Sequence, residues 1–518
     1  MQPTPQPPTT SLFDDYYFRR LVSLDDPLLK LDACTDWSFV YEEVAGLYHA
    51  ELGRPALDPV VMLKFCFLQC YCNLSDREIC HRAQTDLLLR AFLGLDVEEQ
   101  LPHHSSLSVF RGRLGDEVFK RLFNRLVAQA VAEGLITNDL ALADSYGIEA
   151  DIRVPRFRKL LARLIGKALQ LLEASGEEVS ALRTEAGELE GDTSWRLSKE
   201  LAKRTEEQWV ALAGQVYERL EQLEEASAQR DEMLEYLEAA LDRKERKRSG
   251  GYLVSDIDPQ ARWKRKKHGR RAFVGYVENV IVDADSEIIT DVTVAPGNLD
   301  DSEAFADLVA GHEANVGAPP AGVVADSGYH SGKNRDLLKD KSEAHIAVPT
   351  PKGHKQGRLA PCDFQIEYDE AGQPVRAQCP HGQGAEQPKW KHETHCWVFY
   401  FGKSQCEGCP LRERCTKQKR GRSLSVSVHH RDQEEARARQ ATPQGQQQQV
   451  ERLNVERTFA LQQRRHGLER TRYRGLRRVG VQVYMTCLAM NLVRRCKLLE
   501  EPELVKRRQL ARRQRLGS

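Results

Sequence analysis

The sequence predicts an α/β protein with a mixed-sheet core, a helical domain ahead of it and two inserts within it. Two short apolar stretches that each run into an aspartate, 141–151 and 321–331, flank an alternating apolar–polar segment with a central turn, 275–298. Helical apolar spacing governs most of 13–137, and a turn-rich, cysteine-rich stretch occupies 352–425. Strand, hairpin, helix, strand is the order of an α/β core. The 518 residues suffice for three or four domains at about 100–200 residues each.

Taken in order, 1–12 is Pro-rich and expected to be disordered, and 13–137 is a helical domain. Asp58–Leu95 has helical spacing, and Ser75-Asp76-Arg77-Glu78 is a capping box. A second helix start at Ser105-Ser106 carries Arg111 and Arg113 just inside it. Two short helices, a turn and an arginine-bearing helix suit a helix-turn-helix DNA reader, and equally an ordinary bundle. Cys66, Cys70, Cys72 and Cys80 keep apolar company and read as core thiols.

The first strand follows, then a helical, acidic stretch over 154–248. Val216, Leu220, Leu223, Ser227, Arg230, Leu234, Leu237 and Leu241 alternate by four and three, a heptad seam that suggests a coiled-coil-like arm, with 187–192 as its turn. A basic linker spans 249–269. The hairpin, a helix at Asp301–Val316 and the second strand complete the first part of the core. After the cysteine-rich insert, 351–430, the chain is helical again over 431–499 and ends in a basic tail, 500–518. The core segments are therefore 138–153, 270–350 and 431–499.

The formal charge is zero, 76 Lys+Arg against 76 Asp+Glu, which on its face argues against a nucleic-acid partner. The distribution reverses that argument. Gly402–Ser518 holds 28 basic and 11 acidic residues, a net +17, whereas Glu173–Ala240 holds 18 acidic and 7 basic, a net −11. The acidic arm is expected to stay off DNA. No apolar run approaches the roughly 20 residues that span a bilayer. The start lacks the basic-then-apolar order of a signal peptide, so a cytoplasmic, nucleoid-associated protein is expected. With 13 cysteines and no export signal, thiols or metal ligands are expected rather than disulfides.

Asp144 and Asp326 stand at strand ends, where neighbouring carboxylates repel unless a cation lies between them. Hard divalent ions with incomplete carboxylate shells suit phosphate chemistry. Glu456 follows Arg452 by four residues, one helical turn, and Phe459 is its apolar anchor. Around it lie Arg457, Arg464, Arg465, Arg474 and Arg477, a concentration that suits a polyanion backbone. In the insert, Cys379, Cys406-x-x-Cys409 and Cys415 suit tetrahedral Zn²⁺, with Cys396, Cys362 and His381 as rivals to Cys379.

Asp144, Asp326 and Glu456 in this order, with ADSGYHS around the second and Arg452-x-x-x-Glu456 around the third, resemble the DDE transposases of bacterial insertion sequences. DDYYFRRLVSLDDPL, LSDREICHRA and HSSLSVFRGRL resemble the N-terminal domain of one such group. GYVENVIVDADSEII and RYRGLRRVGVQVYMTCLAMNLVRR resemble its core. The resemblance implies a ribonuclease-H-like core, two Mg²⁺ ions (or Mn²⁺) held by Asp144, Asp326 and Glu456, and a structural Zn²⁺. It also implies binding of terminal inverted repeats and target DNA, cleavage followed by strand transfer, and a homodimer on DNA. Arg111, Arg113, Arg452, Arg457, Arg464, Arg465, Arg474 and Arg477 are the expected DNA contacts. Two positions depart from the group: Ser145-Tyr146 stands where Gly-Thr is frequent, and Gln449 where Tyr is frequent. A DNA-binding regulator that has lost catalysis, and a nuclease without strand transfer, share these residues.

Overall fold

The computed structural model describes residues 16, 18, 20–49, 56–186, 203–223, 227–243, 251–264, 272–339 and 341–516. The stretch 1–12, the expected turn at 187–192 and residues 265–269 of the basic linker lie outside the described residues. Among the described residues, the helices from Pro27 to Ala132 are α1 Pro27–Ala33, α2 Phe39–Val44, α3 Pro59–Tyr71, α4 Asp76–Thr85, α5 Leu87–Leu93 and α6 His104–Ala132. Then come β1 Leu140–Glu149, α7 Phe157–Ala174, α8 Ser180–Ala186, α9 Glu206–Glu221 and α10 Ala228–Leu241. They are followed by β2 Arg262–Lys264, β3 Phe273–Asp283, β4 Ile289–Pro296, α11 Asp301–Val316, β5 Gly322–Ala325, α12 Gly332–Leu338 and β6 Glu343–Ile346. The insert holds six strands, β7 Gln365–Tyr368, β8 Pro374–Gln378, β9 Gly384–Glu386, β10 Lys389–Lys391, β11 Cys396–Phe401 and β12 Arg422–Ser427, besides four-residue helical turns at Lys352–Lys355, Lys403–Cys406 and Arg412–Cys415. The chain closes with α13 His430–Ala441, α14 Pro443–Arg452, α15 Val455–His466, α16 Leu476–Glu500 and α17 Glu503–Leu516.

The chain divides into two compact units. One comprises Met1–Asn138, Asp144–Pro319 and Val455–Arg508; the other comprises Asp139–Ala143, Pro320–Asn454 and Gln509–Ser518. In the first, polar caps set the helix starts. Asp58 accepts the Val60 and Val61 N–H groups ahead of α3, and Ser75 and Glu78 form the expected capping box of α4. His103, not Ser105, caps α6: its Nδ1 accepts the Ser105 N–H at 3.3 Å. The α6 helix is 29 residues long and kinks at Gly115, where φ is +67°. Cys66, Cys70 and Cys80 are buried thiols, and burial pushes Cys66 up to about 12 and Cys70 and Cys80 up to about 11.

The 275–298 alternation does form a hairpin, with Tyr276 opposite Pro296 and Val280 opposite Val292. Every residue of β3 is buried, so polar Glu278 and Asn279 lie inside rather than on a wet face. A Cβ at Gly275 would come within 2.0 Å of the Ile148 carbonyl oxygen, so only glycine lets β3 approach this closely. Asn491 of α16 brackets Ile289 of β4, accepting from its N–H at 2.9 Å and donating to its C=O at 2.7 Å.

The acidic arm is a packed bundle. Leu160, Leu164, Ile165, Leu172, Trp209, Leu212, Val216, Leu220 and Leu237 bury one core among α7, α9 and α10. The heptad seam does not exist as a continuous stripe, because the helix ends at Glu221 and restarts with Ser227 as N-cap. Arg230 donates to the Leu220 and Glu221 carbonyl oxygens at 3.1 and 2.9 Å, closing the end of α9.

In the second unit, Leu140–Ala143 of β1 pairs in parallel with Gly322–Ala325, and β5 pairs in parallel with β6. Two small antiparallel sheets follow, β7-β8-β9 and β10-β11-β12, packed around Phe364, Phe399, Phe401, Leu424 and Val426. Residues 431–499 are four helices, with a break at Leu453–Asn454 between α14 and α15. Arg452 is thus the last residue of one helix and Glu456 lies in the first turn of the next, instead of both sharing one helix face. The tail is helical and tied down. Arg515 grips Glu451 at 2.6 and 3.1 Å, and Asp139 receives Gln509 and Arg513, both at 2.7 Å, with Arg512 at 3.3 Å. No helix among the described residues is long and apolar enough to cross a membrane.

Candidate active site and cysteine cluster

Asp144 lies where β1 passes from buried Ala143 to half-buried positions. Its Oδ1 accepts the Ser145 N–H at 2.8 Å. Tyr146, two residues on, shares its face of the strand. The Tyr146 ring stacks on Phe459 of α15, with centroids 5.5 Å apart and planes at 29°. Phe459 is three residues beyond Glu456, on the same helix face. Within this unit, therefore, the Asp144 face of β1 opposes the Glu456 face of α15. Glu456 is exposed and sits in the first turn of its helix, where the N–H groups favour a carboxylate.

Asp326 belongs to the other unit, directly after β5. Its Oδ1 accepts the Gly328 N–H at 2.5 Å, and its carbonyl oxygen accepts the Tyr329 N–H at 3.2 Å, which forms the ADSGY turn. His330 beside it is lowered to about 4 by burial and then by the Arg335 charge, so its ring is neutral at physiological pH. Gln449, at the Tyr departure, donates to the His345 carbonyl oxygen of β6 at 2.7 Å; Gln448 adds a bond to the His345 ring at 3.0 Å. The departure thus holds α14 against the sheet and costs no carboxylate.

The sequence reading does not single out Glu278 of the hairpin. It is fully buried, and burial pushes its carboxyl up to about 8, with Gln462 of α15 opposing the shift. Its alternating neighbours hide it, since alternation implies a wet face and β3 has none.

The expected DNA-contacting arginines separate into groups. Arg111 is not available to a phosphate: it is 7% exposed, pairs with Asp76 through both nitrogens and lies 5.2 Å from the Tyr473 ring centroid. Arg113 is exposed and lies 4.9 Å over Tyr48. Arg457 is exposed and pairs with Glu287 at 2.9 Å. Arg452 is half-buried at the end of α14. Arg464, Arg465 and Arg474 are exposed and make no ion pair among the described residues, and the same holds for Arg478. Arg477 reaches Asp116 at 3.1 Å across a cleft of about 350 Å³ lined by Ser108, Gly112, Tyr473 and Arg478. The kink at Gly115 shapes this cleft, and a Cβ there would come within 3.2 Å of the Arg477 guanidinium.

In the insert, Cys379 opens a turn in which the Gln383 N–H donates to its Sγ at 3.3 Å, with Gly382 at φ +82°. Cys406 opens a second such turn, closed by the Cys409 N–H on its carbonyl oxygen and containing Gly408 at φ +75°. Burial raises the Cys415 thiol, Arg422 opposes the rise, and Cys406, Cys379 and Cys409 are close enough to add to it. Cys362 is not in that company: its charged neighbours are Arg437, Glu434 and Asp363.

The β1 strand that carries Asp144 meets the α15 helix that carries Glu456 through the Tyr146–Phe459 stack, and Arg464, Arg465 and Arg474 are exposed. Residues 16–113 match a family model described as Transposase domain (DUF772), and residues 378–496 match one described as Transposase DDE domain. No curated protein and no solved structure matches the chain. The chain is a DDE transposase of an insertion sequence, an enzyme that cleaves DNA by phosphoryl transfer. The second match spans all four cysteines of the cluster and Glu456 but neither Asp144 nor Asp326.

Proposed function

We propose that Asp144, Asp326 and Glu456 are the catalytic carboxylates of a ribonuclease-H-like core that cuts the ends of its element and joins them to a target. The Tyr146–Phe459 stack carries this reading, because it sets the Asp144 and Glu456 faces against each other. The β1–β5 ladder supports it as well: Ala143 pairs with Ala325, and each catalytic aspartate is the next residue. Three carboxylates are hard oxygen donors and fit Mg²⁺ or Mn²⁺. Two such ions, when bound, activate the attacking oxygen and stabilise the leaving oxygen. The protein supplies position. The Ser145 and Gly328 N–H groups aim the two aspartates, and the stack fixes α15. Arg464, Arg465, Arg474 and Arg477 hold phosphates of the bound strand, and Arg113 on α6 adds to the surface that reads the terminal inverted repeats. Zn²⁺ in Cys379, Cys406, Cys409 and Cys415 has a structural role in the insert, and a homodimer acts on paired ends.

Incubating the protein with Mg²⁺ and DNA that carries the flanking repeats tests this. Asp326→Ala and Glu456→Gln should each lower cleavage at least about 100-fold while binding persists, since losing even an outer-shell partner of a metal costs about 10–100-fold. Equal cleavage by wild type and both variants overturns the assignment. Cut ends that never join a target leave a nuclease.

A further inference from the structure

The insert holds a group of metal-ligating side chains apart from the four cysteines proposed above for zinc. His354 Nε2 lies 2.8 Å from Asp363 Oδ2 and 3.9 Å from Cys362 Sγ, and one donor atom of each residue lies within 4.8 Å of the other two. We propose that His354, Cys362 and Asp363 form a second zinc site, with three protein ligands and a fourth position open to water.

Donor spacing supports the assignment. At ordinary Zn–S, Zn–N and Zn–O lengths, a tetrahedral ion separates its donors by about 3.4–3.6 Å. The observed His–Asp and His–Cys separations bracket that range, so movements of about half an ångström seat the ion. A His–Asp hydrogen bond alone accounts for the imidazole and the carboxylate; it leaves the thiol beside the same nitrogen without a purpose. The donor set of one sulfur, one nitrogen and one oxygen selects zinc over magnesium or calcium, which take oxygen shells. Charge also balances, because a thiolate and a carboxylate neutralise one divalent ion. Binding converts the Cys362 thiol to a thiolate and releases its proton to solvent.

The backbone presents these donors in advance. Gly353 lies so close to the Arg358 and Leu359 carbonyl oxygens that a Cβ would meet them at 3.1 and 3.0 Å. The Arg358 N–H donates to the Gly353 carbonyl oxygen at 2.7 Å, and Gly357 turns the chain at φ +67°. This tight loop folds His354 back over Cys362 and Asp363. Asp363 is itself held by the Ala360 N–H at 2.7 Å.

Metal counting on the full-length protein tests the proposal. The protein is stripped with a chelator, reloaded with Zn²⁺ or Co²⁺ and analysed for bound metal, with circular dichroism as the check on folding. Wild type should hold two equivalents, and Cys362→Ser or His354→Gln one. Cys409→Ser should also hold one, and the Co²⁺ bound to it should show the weak charge-transfer band of a single thiolate, lost on adding Cys362→Ser. Should Cys362→Ser unfold, His354→Gln, which alters a partly exposed ring, gives the count. Two equivalents in folded Cys362→Ser and His354→Gln overturn the proposal. So does a single wild-type equivalent that Cys409→Ser abolishes. A single equivalent lost in Cys362→Ser but kept in Cys409→Ser upholds this site and removes the four-cysteine one.

Discussion

Two arginine-rich helical segments of this chain have similar composition and opposite fates. Between α15 and the start of α16, both included, Arg464, Arg465, Arg474 and Arg478 are exposed and make no ion pair among the described residues. In α17, Arg512, Arg513 and Arg515 are spent on Asp139 and Glu451 within their own unit. Basic charge therefore does not identify a DNA-binding helix. What separates the two segments is whether a carboxylate partner is present, and that partner can lie far away in sequence.

The largest effect that would break this contrast concerns DNA affinity. Replacing Arg464, Arg465 and Arg478 together with Ala should weaken binding on the order of 100-fold and lower the salt slope by about 0.9 for each phosphate no longer neutralised. A filter-binding or anisotropy titration at several salt concentrations measures both. An unchanged slope would place these arginines outside the DNA surface. Arg515→Ala should leave the slope intact and instead destabilise its unit by roughly 1–3 kcal/mol, because it strands Glu451, whose side chain is 4% exposed. Chemical denaturation followed by circular dichroism reads this loss.

The same clamp gives a smaller, pH-dependent effect. Burial pushes the Glu451 carboxyl up, but the Arg515 hydrogen bond and charge outweigh it, so the net shift is below the usual glutamate value. Its stabilising contribution is then present above the ordinary glutamate range and is lost as pH falls through the folded-state value. Acidification should destabilise wild type more than Arg515→Ala, and parallel pH profiles would rule the clamp out. The smallest effect belongs to the intermediate case. Arg477→Gln breaks a 77%-exposed arginine from Asp116, which should cost no more than about 1 kcal/mol of stability and lower the salt slope by about 0.9, the share of one phosphate.

These contrasts show which features the sequence makes legible. The hairpin, the Ser75 box and the Asp301–Val316 helix are local patterns, and the structure reproduces them. Asp326, directly after β5, is legible for the same reason, because an apolar run that stops at a carboxylate needs only a few residues to be seen; Asp144 lies inside β1 instead of at its end, since the strand continues to Glu149. Arg111 is misread because Asp76 lies 35 positions away, and the pairing of the basic tail is not legible because Glu451 is 64 positions from Arg515. The heptad seam fails differently. Its four-three spacing runs on past the end of one helix, where Ser227 caps the next and Arg230 closes the first, and spacing alone does not distinguish a cap from a seam. Glu278 is missed because strand alternation assumes one solvated face.

The bundle built on Trp209 has a consequence for how such enzymes diversify. It leaves the chain after β1 and returns before β3, and its apolar residues are satisfied by one another. An insertion that brings its own core adds mainly loop closure, about 0.6 kcal/mol for each doubling of length. Trimming it from Glu173 to Ala240 would strip Leu160, Leu164 and Ile165 of α7 bare, whereas exchanging it whole would not. The bundle is therefore a self-contained module: whole exchange leaves β1 and β3 on either side of it in the sequence with their own contacts.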